Sequence, residues 1–169
     1  MKHLKKLAVV LVLFVAATSA VQAQSKVAHI NVQELLSQMP KMKNAMEELK
    51  KLEATHRATL EASMTELKNK YTQYENEAAS KSDEENQKRA QELQGYQKGI
   101  QEAEQAAAQD INKKRGDLLG PITEEAKAAI EKVAAAKGVD YVIDASQGGG
   151  LIVAKGTDLM ADVKKELGF

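Results

Sequence analysis

The fold is decided by the middle of the chain, where residues 60–100 read LEASMTELKNKYTQYENEAASKSDEENQKRAQELQGYQKGI. In its first half, apolar or aromatic side chains recur at alternating steps of four and three residues, as the contact seam of a coiled coil requires. They are Leu60, Met64, Leu67, Tyr71, Tyr74 and Ala78. Ser82 or Asp83 can then cap a second helix, and acidic side chains follow in its first turn, where they complement the helix dipole. The stretch therefore predicts two helices that reverse direction at residues 80–84.

Outward from this reversal the helical pattern extends over residues 41–120, with no proline between Pro40 and Pro121. The predicted seam also takes in Met42, Met46, Leu49, Leu52 and His56 on the first helix, and Ala90, Leu93, Ile100, Ala107, Ile111 and Leu118 on the second. Two helices of about 35 residues each would be about 50 Å long. In an antiparallel hairpin, facing residues should have numbers that sum to about 164. Tyr74 would then face Ala90, Tyr71 Leu93, Met64 Ile100 and Met46 Leu118, and these matches favour a hairpin over one uninterrupted helix.

Short strands and helices are predicted on both sides of this arm. Residues 27–32 alternate as a strand, with Ala28, Ile30 and Val32 on its apolar face, and a short helix follows over residues 33–39. After the arm, Pro121 at a first helical position and Gly138 beyond the end predict a helix over residues 121–137. The remaining predicted elements are a strand over residues 139–145, a turn at residues 148–150, a returning strand over residues 151–154 and a last helix over residues 158–167. Residues 24–40 and 121–169 thus form one body, into which the arm of residues 41–120 is inserted.

The small size of this body predicts that several copies assemble through it. Its strands and helices amount to about 60 residues, near the lower limit for a stable single core, and its strands have exposed edges. Both problems are solved when copies pool their strands and helices. The candidate oligomerisation residues are Ile30, Val32, Leu35, Leu36, Val142, Ile143, Leu151, Ile152 and Val153. The predicted fold class is α+β and mostly α, with a long antiparallel two-helix coiled-coil arm inserted in a small oligomerisation body.

The N-terminus has the three parts of an export signal. Lys2, Lys5 and Lys6 precede an unbroken apolar run over residues 7–17, and small side chains at Val21 and Ala23 predict cleavage after Ala23. The alternative is an uncleaved membrane anchor, but the apolar run is short for a span of about 20 residues. We therefore expect residues 1–23 to be a cleaved signal peptide and the mature chain to be exported.

Charge and reactive side chains argue against nucleic-acid binding and against catalysis. Removal of residues 1–23 takes three lysines and no acidic residue from a chain with 24 basic and 24 acidic side chains, which leaves a net charge of −3. Such a chain has no positive field to attract nucleic acid. Residues 148–157, GGGLIVAKGT, differ from a phosphate-binding loop because Lys155 precedes Gly156 and a strand is predicted after the glycines. The chain has no cysteine and its three histidines share no metal-ligand spacing, so we expect no enzyme, cofactor or metal site.

The tyrosines of the arm are the candidate contacts for a partner, because aromatic residues make up only 4% of the chain. Tyr71 and Tyr74 have seam spacing, and a place in the hairpin core would account for both. Tyr96 falls off the predicted seam, which would leave it free to meet a partner. Gly95 and Gly99 flank it inside the returning helix, where each costs roughly 1 kcal/mol relative to alanine.

Together, these features resemble the Skp/OmpH family of trimeric periplasmic chaperones for outer-membrane proteins. The resemblance is carried by KVAHINVQELLSQMP at residues 26–40, by the proline-free arm, and by GVDYVIDAS and GGLIVAKGTDLMADVKKEL at residues 138–146 and 149–167. It implies a homotrimer with a small β-barrel-like body, whose arms enclose a cavity for unfolded outer-membrane β-barrels. The resemblance also implies lipopolysaccharide or a membrane surface as a partner, but the best-known members are strongly basic, whereas this mature chain is slightly acidic. Lys88 and Arg89 near the tip are the basic pair that could serve that contact.

Two functions from different classes follow from these features. The first is an ATP-independent periplasmic holdase, which binds unfolded outer-membrane proteins through many weak contacts with its arms and prevents their aggregation. The second is a structural coiled-coil protein of the envelope, a spacer that binds no client. The two differ at the inner surface of the arm, since a spacer should bind no unfolded protein.

Overall fold

The computed structural model describes residues 25–169, so the predicted cleavage after Ala23 lies outside the described residues. The elements in chain order are β1 (Val27–Ile30), α1 (Val32–Gln38), α2 (Pro40–Glu77), α3 (Asp83–Lys137), β2 (Tyr141–Asp144), β3 (Thr157–Asp158) and α4 (Met160–Leu167). One turn of 3₁₀ helix, Ala78–Ser80, lies between α2 and α3. The predicted fold class is confirmed, since two long antiparallel helices contact each other and a small sheet joins the two ends of the chain.

Capping residues set the starts of α1 and α2. The side-chain oxygen of Asn31 accepts a hydrogen bond of 2.9 Å from the backbone N–H of Glu34, so β1 ends at Ile30, two residues before the predicted end. Met39 returns to an extended conformation with ψ 127°. Pro40 then takes the first position of α2, where its missing N–H leaves no helical hydrogen bond unmade. The chain therefore enters the arm through a one-residue break between α1 and α2.

Several hydrogen bonds hold the reversal between α2 and α3, and two of them involve the start of α3. The hydroxyl of Ser82 accepts a bond of 3.3 Å from the backbone N–H of Glu85, which caps α3. The side-chain amide of Asn86 donates a bond of 3.0 Å to the carbonyl oxygen of Ala78, which joins the two sides of the turn. Otherwise unpaired backbone groups at both helix ends gain partners in this way.

The predicted helix start at Pro121 is wrong, because α3 runs through Gly120-Pro121 without interruption to Lys137. A proline inside a helix removes one backbone hydrogen bond and costs about 3 kcal/mol. Here the next residue, Ile122, is buried, and so are Ala126 and Val133 further along, so the packing of this segment offsets that cost. The C-terminal end is as predicted: Gly138 has φ 62°, a left-handed conformation that glycine adopts without strain.

The sheet differs from the predicted hairpin. Its strand order is β2-β1-β3, and both neighbours run parallel to β1, with Val27 opposite Tyr141 and Ala28 opposite Thr157. The predicted returning strand at residues 151–154 is wrong, since these residues form no strand and the third strand is Thr157–Asp158. A tight turn joins only antiparallel neighbours, whereas a parallel neighbour needs a longer crossover. Residues 145–156 provide that crossover from one edge of β1 to the other.

One core lies where the sheet meets the root of the arm. Its largest fully buried side chains are Ile30, Leu35, Leu159 and Val163. Around them pack further buried residues of β1, the break before α2, α2 and α3, namely Ala28, Met39, Ala45, Ile122, Ala126, Ala129, Val133 and Ala134. The root of the arm therefore belongs to the core of the body. Helix α3 forms the returning half of the arm and continues without a break into the body, where β2 follows it.

Only one face of the sheet is covered by this core. Ala28 and Ile30 of β1 point into it, whereas Val27, Tyr141 and Ile143 on the other face are exposed. We call these three residues the open sheet face. Among residues 25–169, no helix is apolar over a long enough stretch to cross a bilayer.

Candidate functional site

The arm is held in the predicted register by ion pairs that cross from α2 to α3. Glu48 pairs with Lys114 at 2.7 Å, and the imidazole Nε2 of His56 lies 2.9 Å from the Asp110 carboxylate. Further pairs join Lys41 to Glu125, Glu53 to Arg115 and Glu77 to Arg89. The numbers of these partners sum to within a few residues of the predicted value of about 164, so the register is confirmed.

The side chains that fill the hairpin seam are only partly those predicted. Leu49, Ile100 and Ala107 are buried, and Leu52, Leu60, Leu67 and Tyr74 are half-buried. Met46, Met64 and Tyr71 do not lie in the seam: they are 53%, 47% and 57% exposed. At these three positions the preceding residue, Ala45, Ser63 or Lys70, faces the seam instead, and a search for large apolar side chains passes over such small or polar residues.

Near its tip the arm is closed by a charged and aromatic network, which we call the tip network. Glu92 of α3 accepts a hydrogen bond of 2.8 Å from Lys70 and one of 2.7 Å from the hydroxyl of Tyr74. Arg89 lies 4.6 Å from the centre of the Tyr74 ring, and Lys70 lies 5.0 Å from that of Tyr96. Such contacts of a cation with a ring face add to the ion pairs.

Each member of the tip network shifts the pKa of another. The hydrogen bonds from Lys70 and Tyr74 lower the pKa of the Glu92 carboxyl, and the bond to Glu92 raises the pKa of both donors. The bond to Glu77 raises the pKa of Arg89. All of these groups therefore keep their charge states, and the network stays paired, across the neutral range.

This network changes the predicted roles of the tyrosines. Tyr96 is not off the seam as predicted: it is half-buried, and its hydroxyl donates a hydrogen bond of 3.1 Å to Glu66 across the hairpin. Tyr74 is likewise engaged with Glu92. Tyr71, expected in the seam, is the one of the three that faces solvent. Of the three proposed client contacts, Tyr71 alone presents most of its ring for a partner.

The basic pair near the tip is also partly occupied. The Arg89 side chain is only 12% exposed and lies 2.8 Å from Glu77 and 3.5 Å from Glu85. Lys88 is exposed and pairs with Glu84 at 3.0 Å. Arg89 is therefore not available for the predicted anion contact, because Glu77 and Glu85 of the hairpin already pair with its charge. Lys88 remains as the candidate.

The candidate oligomerisation residues divide into three groups. Ile30 and Leu35 are buried in the core of their own chain, which leaves them no surface for a partner and removes them from the predicted contact. Val32, Leu36, Val142 and Leu151 are half-buried. Ile143, Ile152 and Val153 are exposed, Ile152 by 97%. Val32 and Val142 also line a groove of about 500 Å³ on the body, together with Ala126, Ile130 and Val139 of α3 and the segment after it.

Asp144 at the end of β2 fixes the geometry of this surface. Its carboxylate accepts hydrogen bonds from the backbone N–H of Val32 at 3.2 Å and from the backbone N–H of Ser146 at 2.9 Å. Burial by itself would raise the pKa of Asp144, but the hydrogen bonds from Ser146 and Val32 lower it below its usual value. The ionised side chain thereby ties the end of β2 to the start of α1.

Comparison with known proteins places this architecture in a family. Residues 26–167 match the family model described as "Outer membrane protein (OmpH-like)". That match covers most of the chain. The chain belongs to the OmpH-like family. The OmpH-like chain is 25% identical over 155 residues to the chaperone protein Skp of Pectobacterium atrosepticum, an alignment that covers 92% of this chain and 93% of the relative.

A crystal structure supports the same fold for this OmpH-like chain. An OmpH-like protein of Caulobacter crescentus CB15 superposes with a TM-score of 0.75 over 86% of this chain and 85% of the other, at 17% sequence identity. At that identity the likeness shows the fold alone. The predicted membership in the Skp/OmpH family is thus confirmed, and the family is one of outer-membrane chaperones.

Two features of the OmpH-like surface were not fully predicted from the sequence. Ile143 was a candidate oligomerisation residue, but Val27 and Tyr141 on the same face of the sheet were not. The alternation of Tyr141 and Ile143 with Val142 was the available signal, since a period of two indicates a strand with two apolar faces. The tip network had no such signal. Its charged members are spread over residues 70–92, and nothing in the local pattern distinguishes Glu92 from the other exposed acids of the arm.

Proposed function

We propose that this chain is an ATP-independent periplasmic holdase, which keeps unfolded outer-membrane β-barrel proteins from aggregating by enclosing them between the arms of an oligomer. The observation that carries the proposal is the arm, a hairpin whose first helix alone has 38 residues and a length of about 57 Å. Its exposed apolar side chains stand apart along that length. Such a surface suits a partner held by many weak contacts better than one held in a single pocket.

The oligomer in this proposal assembles through the body. The open sheet face presents Val27, Tyr141 and Ile143, and the crossover between β2 and β3 presents Ile152 and Val153, so both segments of the body leave large apolar side chains uncovered. Exposed apolar patches rimmed by polar residues mark contact sites between proteins. In a homotrimer, which the family resemblance implies, two further copies cover this surface, and the three arms lie on one side of the body with room for a client between them.

The arms need no nucleotide to hold and release a client. An unfolded barrel in transit exposes strand edges and apolar side chains that aggregate at low concentration. Several arms around one client provide a high local concentration of weak contacts. Because each contact is weak, the client leaves when its own folding into a membrane removes the exposed surface.

Export belongs to the same proposal. Residues 1–23 act as the cleaved signal, so the mature chain begins at Gln24 and carries a net charge of −3. Intact-mass measurement of the protein from the cell envelope tests this step, and a mass that includes Met1 would exclude cleavage. With that net charge, binding of lipopolysaccharide or of a membrane surface has to come from local groups such as Lys88.

Light scattering tests the holdase function directly. An outer-membrane β-barrel protein unfolded in urea is diluted into buffer with or without the mature chain and without nucleotide. We expect scattering to be suppressed at about one oligomer per client. Unchanged scattering for several different barrels would reject the holdase and leave the envelope spacer, for which the coiled-coil arm provides the structural support.

A further inference from the structure

The two flanks of the arm differ in the apolar side chains they expose. Met46 and Met64 are 18 residues apart, about five helical turns, so they project from the same side of α2. Tyr71 follows Met64 after seven residues, about two turns, and lies on that side as well. All three are exposed, and no other large apolar side chain in the described part of the arm is. We call this side of the hairpin the methionine flank.

Two grooves between the helices open on this flank. Met64 lines a groove of about 460 Å³ with Leu60, Ala107, Ala108 and Ile111, and Met46 lines one of about 380 Å³ with Leu49 and Arg115. Glu53 lies on the rim of both, which shows that the grooves follow one another along the same side of the arm. The flank therefore combines exposed thioethers with apolar clefts large enough for single side chains.

We propose that the methionine flank is the side of each arm that contacts the client, and that what it takes is the apolar side chains of an unfolded, extended polypeptide. This inference rests on the proposed holdase function and adds to it which surface binds. The other flank has a groove of about 450 Å³ lined by Gly95, Gly99 and the half-buried Tyr96, but no large apolar side chain is exposed there in the region described. Exposed small residues on that flank, away from the two grooves of the methionine flank, are Ala62, Ala103 and Ala106.

A second folded copy does not fit this flank. A stable contact between two folded chains buries about 800 Å² of continuous surface on each side. Here Met46 and Met64 are about 27 Å apart along the helix, and Met64 and Tyr71 are about 10 Å apart. Charged residues, among them Glu53, Arg57 and Lys68, occupy the intervals. A flexible chain can place one apolar side chain in each groove and leave the charged intervals in water.

The chemistry of the flank also suits a partner without fixed shape. Methionine is unbranched and polarizable, and it packs against irregular surfaces at little conformational cost. Leu60 and Ile111 give the deeper part of the larger groove a fixed apolar wall, and Met64 forms its adaptable rim. Different segments of different clients can therefore occupy the same site with similar affinity.

The test compares three variants of the full chain in the scattering assay, with a urea-unfolded outer-membrane barrel as the probe. The polar variant carries Met46→Gln, Met64→Gln and Tyr71→Gln, and the conservative variant carries Met46→Leu, Met64→Leu and Tyr71→Phe. The control carries Ala62→Gln, Ala103→Gln and Ala106→Gln. We expect the polar variant to need about tenfold more protein for half-protection, and the other two to match the wild type within about twofold.

A direct probe of the contact uses the absence of cysteine from the chain. An environment-sensitive fluorophore is attached to Ala108→Cys, which lines the larger groove, or to Ala106→Cys, which does not. Addition of unfolded barrel should shift the emission of the first label and leave that of the second unchanged.

The outcomes separate this inference from the function on which it rests. If wild type protects no barrel, the holdase function itself fails. If wild type protects and the polar variant protects equally well, or if both labels respond alike, the holdase stands and the assignment of this flank is overturned. Circular dichroism and sedimentation of each variant show whether fold and assembly are intact; a loss of protection by the control as well as the polar variant would also overturn the assignment.

Discussion

The length of the arm should set the largest client that the oligomer can protect. Deleting residues 64–77 from α2 and residues 87–100 from α3 removes matched segments of 14 residues and keeps the native reversal. At 1.5 Å per residue this shortens the arm by about 21 Å, from about 57 Å to about 36 Å. A cavity of constant cross-section loses about a third of its volume in proportion.

The expected result is a loss of protection that depends on client size. The shortened protein should still suppress the aggregation of a small eight-stranded barrel, and it should fail with a sixteen-stranded one. Light scattering with both clients at equal molar ratios measures this difference. Equal protection of the large barrel by the shortened and full-length proteins would refute a cavity whose capacity follows arm length.

A second deletion separates arm length from arm surface. Removing residues 50–63 and 101–114 shortens the hairpin by the same amount and keeps the exposed side chains of Met46, Met64 and Tyr71, although the walls of the larger groove are lost. If length alone decides, the two deletions behave alike. If only the first deletion weakens protection of the small barrel, the side chains it removes matter beyond their contribution to length.

Three further outcomes are expected. Because the pKa of Glu92 in the folded chain lies below its ordinary value of 4.5, the tip network stabilises the arm above pH 4.5, and this stabilisation is lost as the pH falls through the folded pKa. Near-ultraviolet circular dichroism of the tyrosines should report the loss, and Glu92→Gln should abolish this pH dependence. Leu159→Ala, at a fully buried position, should lower the free energy of unfolding in urea by about 2–5 kcal/mol, whereas Met46→Ala on the arm surface should change it by under about 0.5 kcal/mol. A body from which residues 50–114 are replaced by a short linker keeps the core residues of the arm root and should still associate in sedimentation. Ile143→Lys should dissociate it, and a monomeric parent would contradict assembly through the body.

The long-range plan of the fold could be predicted from the sequence because it depends on composition and period. Helix formers without proline predict two long helices, and Ser82 with the acids after it marks the start of the second. The register followed from matching apolar positions across the reversal. Each of these features is set by many residues together, so single errors in the seam did not change the result.

The details that failed depend on competition between a local preference and tertiary packing. Pro121 favours a helix start, but burial of Ile122 and Ala126 keeps α3 continuous through it. The glycines at residues 148–150 favour a hairpin, but parallel pairing of β3 with β1 leads the chain across the sheet. The candidate site failed in a similar way, since Lys70 takes the seam position expected for Tyr71, and Tyr96 packs at the seam of α3 between Leu93 and Ile100.

The separation in sequence between contacting residues grows steadily from the tip of the arm to the sheet. Asn86 and Ala78 are eight residues apart, Arg89 and Glu77 are 12 apart, Lys41 and Glu125 are 84 apart, and Lys26 and Asp140 are 114 apart. Closing a short loop loses less entropy than closing a long one, so contacts near the reversal can form first and each shortens the loop that the next must close. We expect the chain to fold as a zipper from residues 78–86 outward, with β1 meeting β2 and then β3 at the end. Each copy would then possess its arm before it possesses the surface through which it finds other copies.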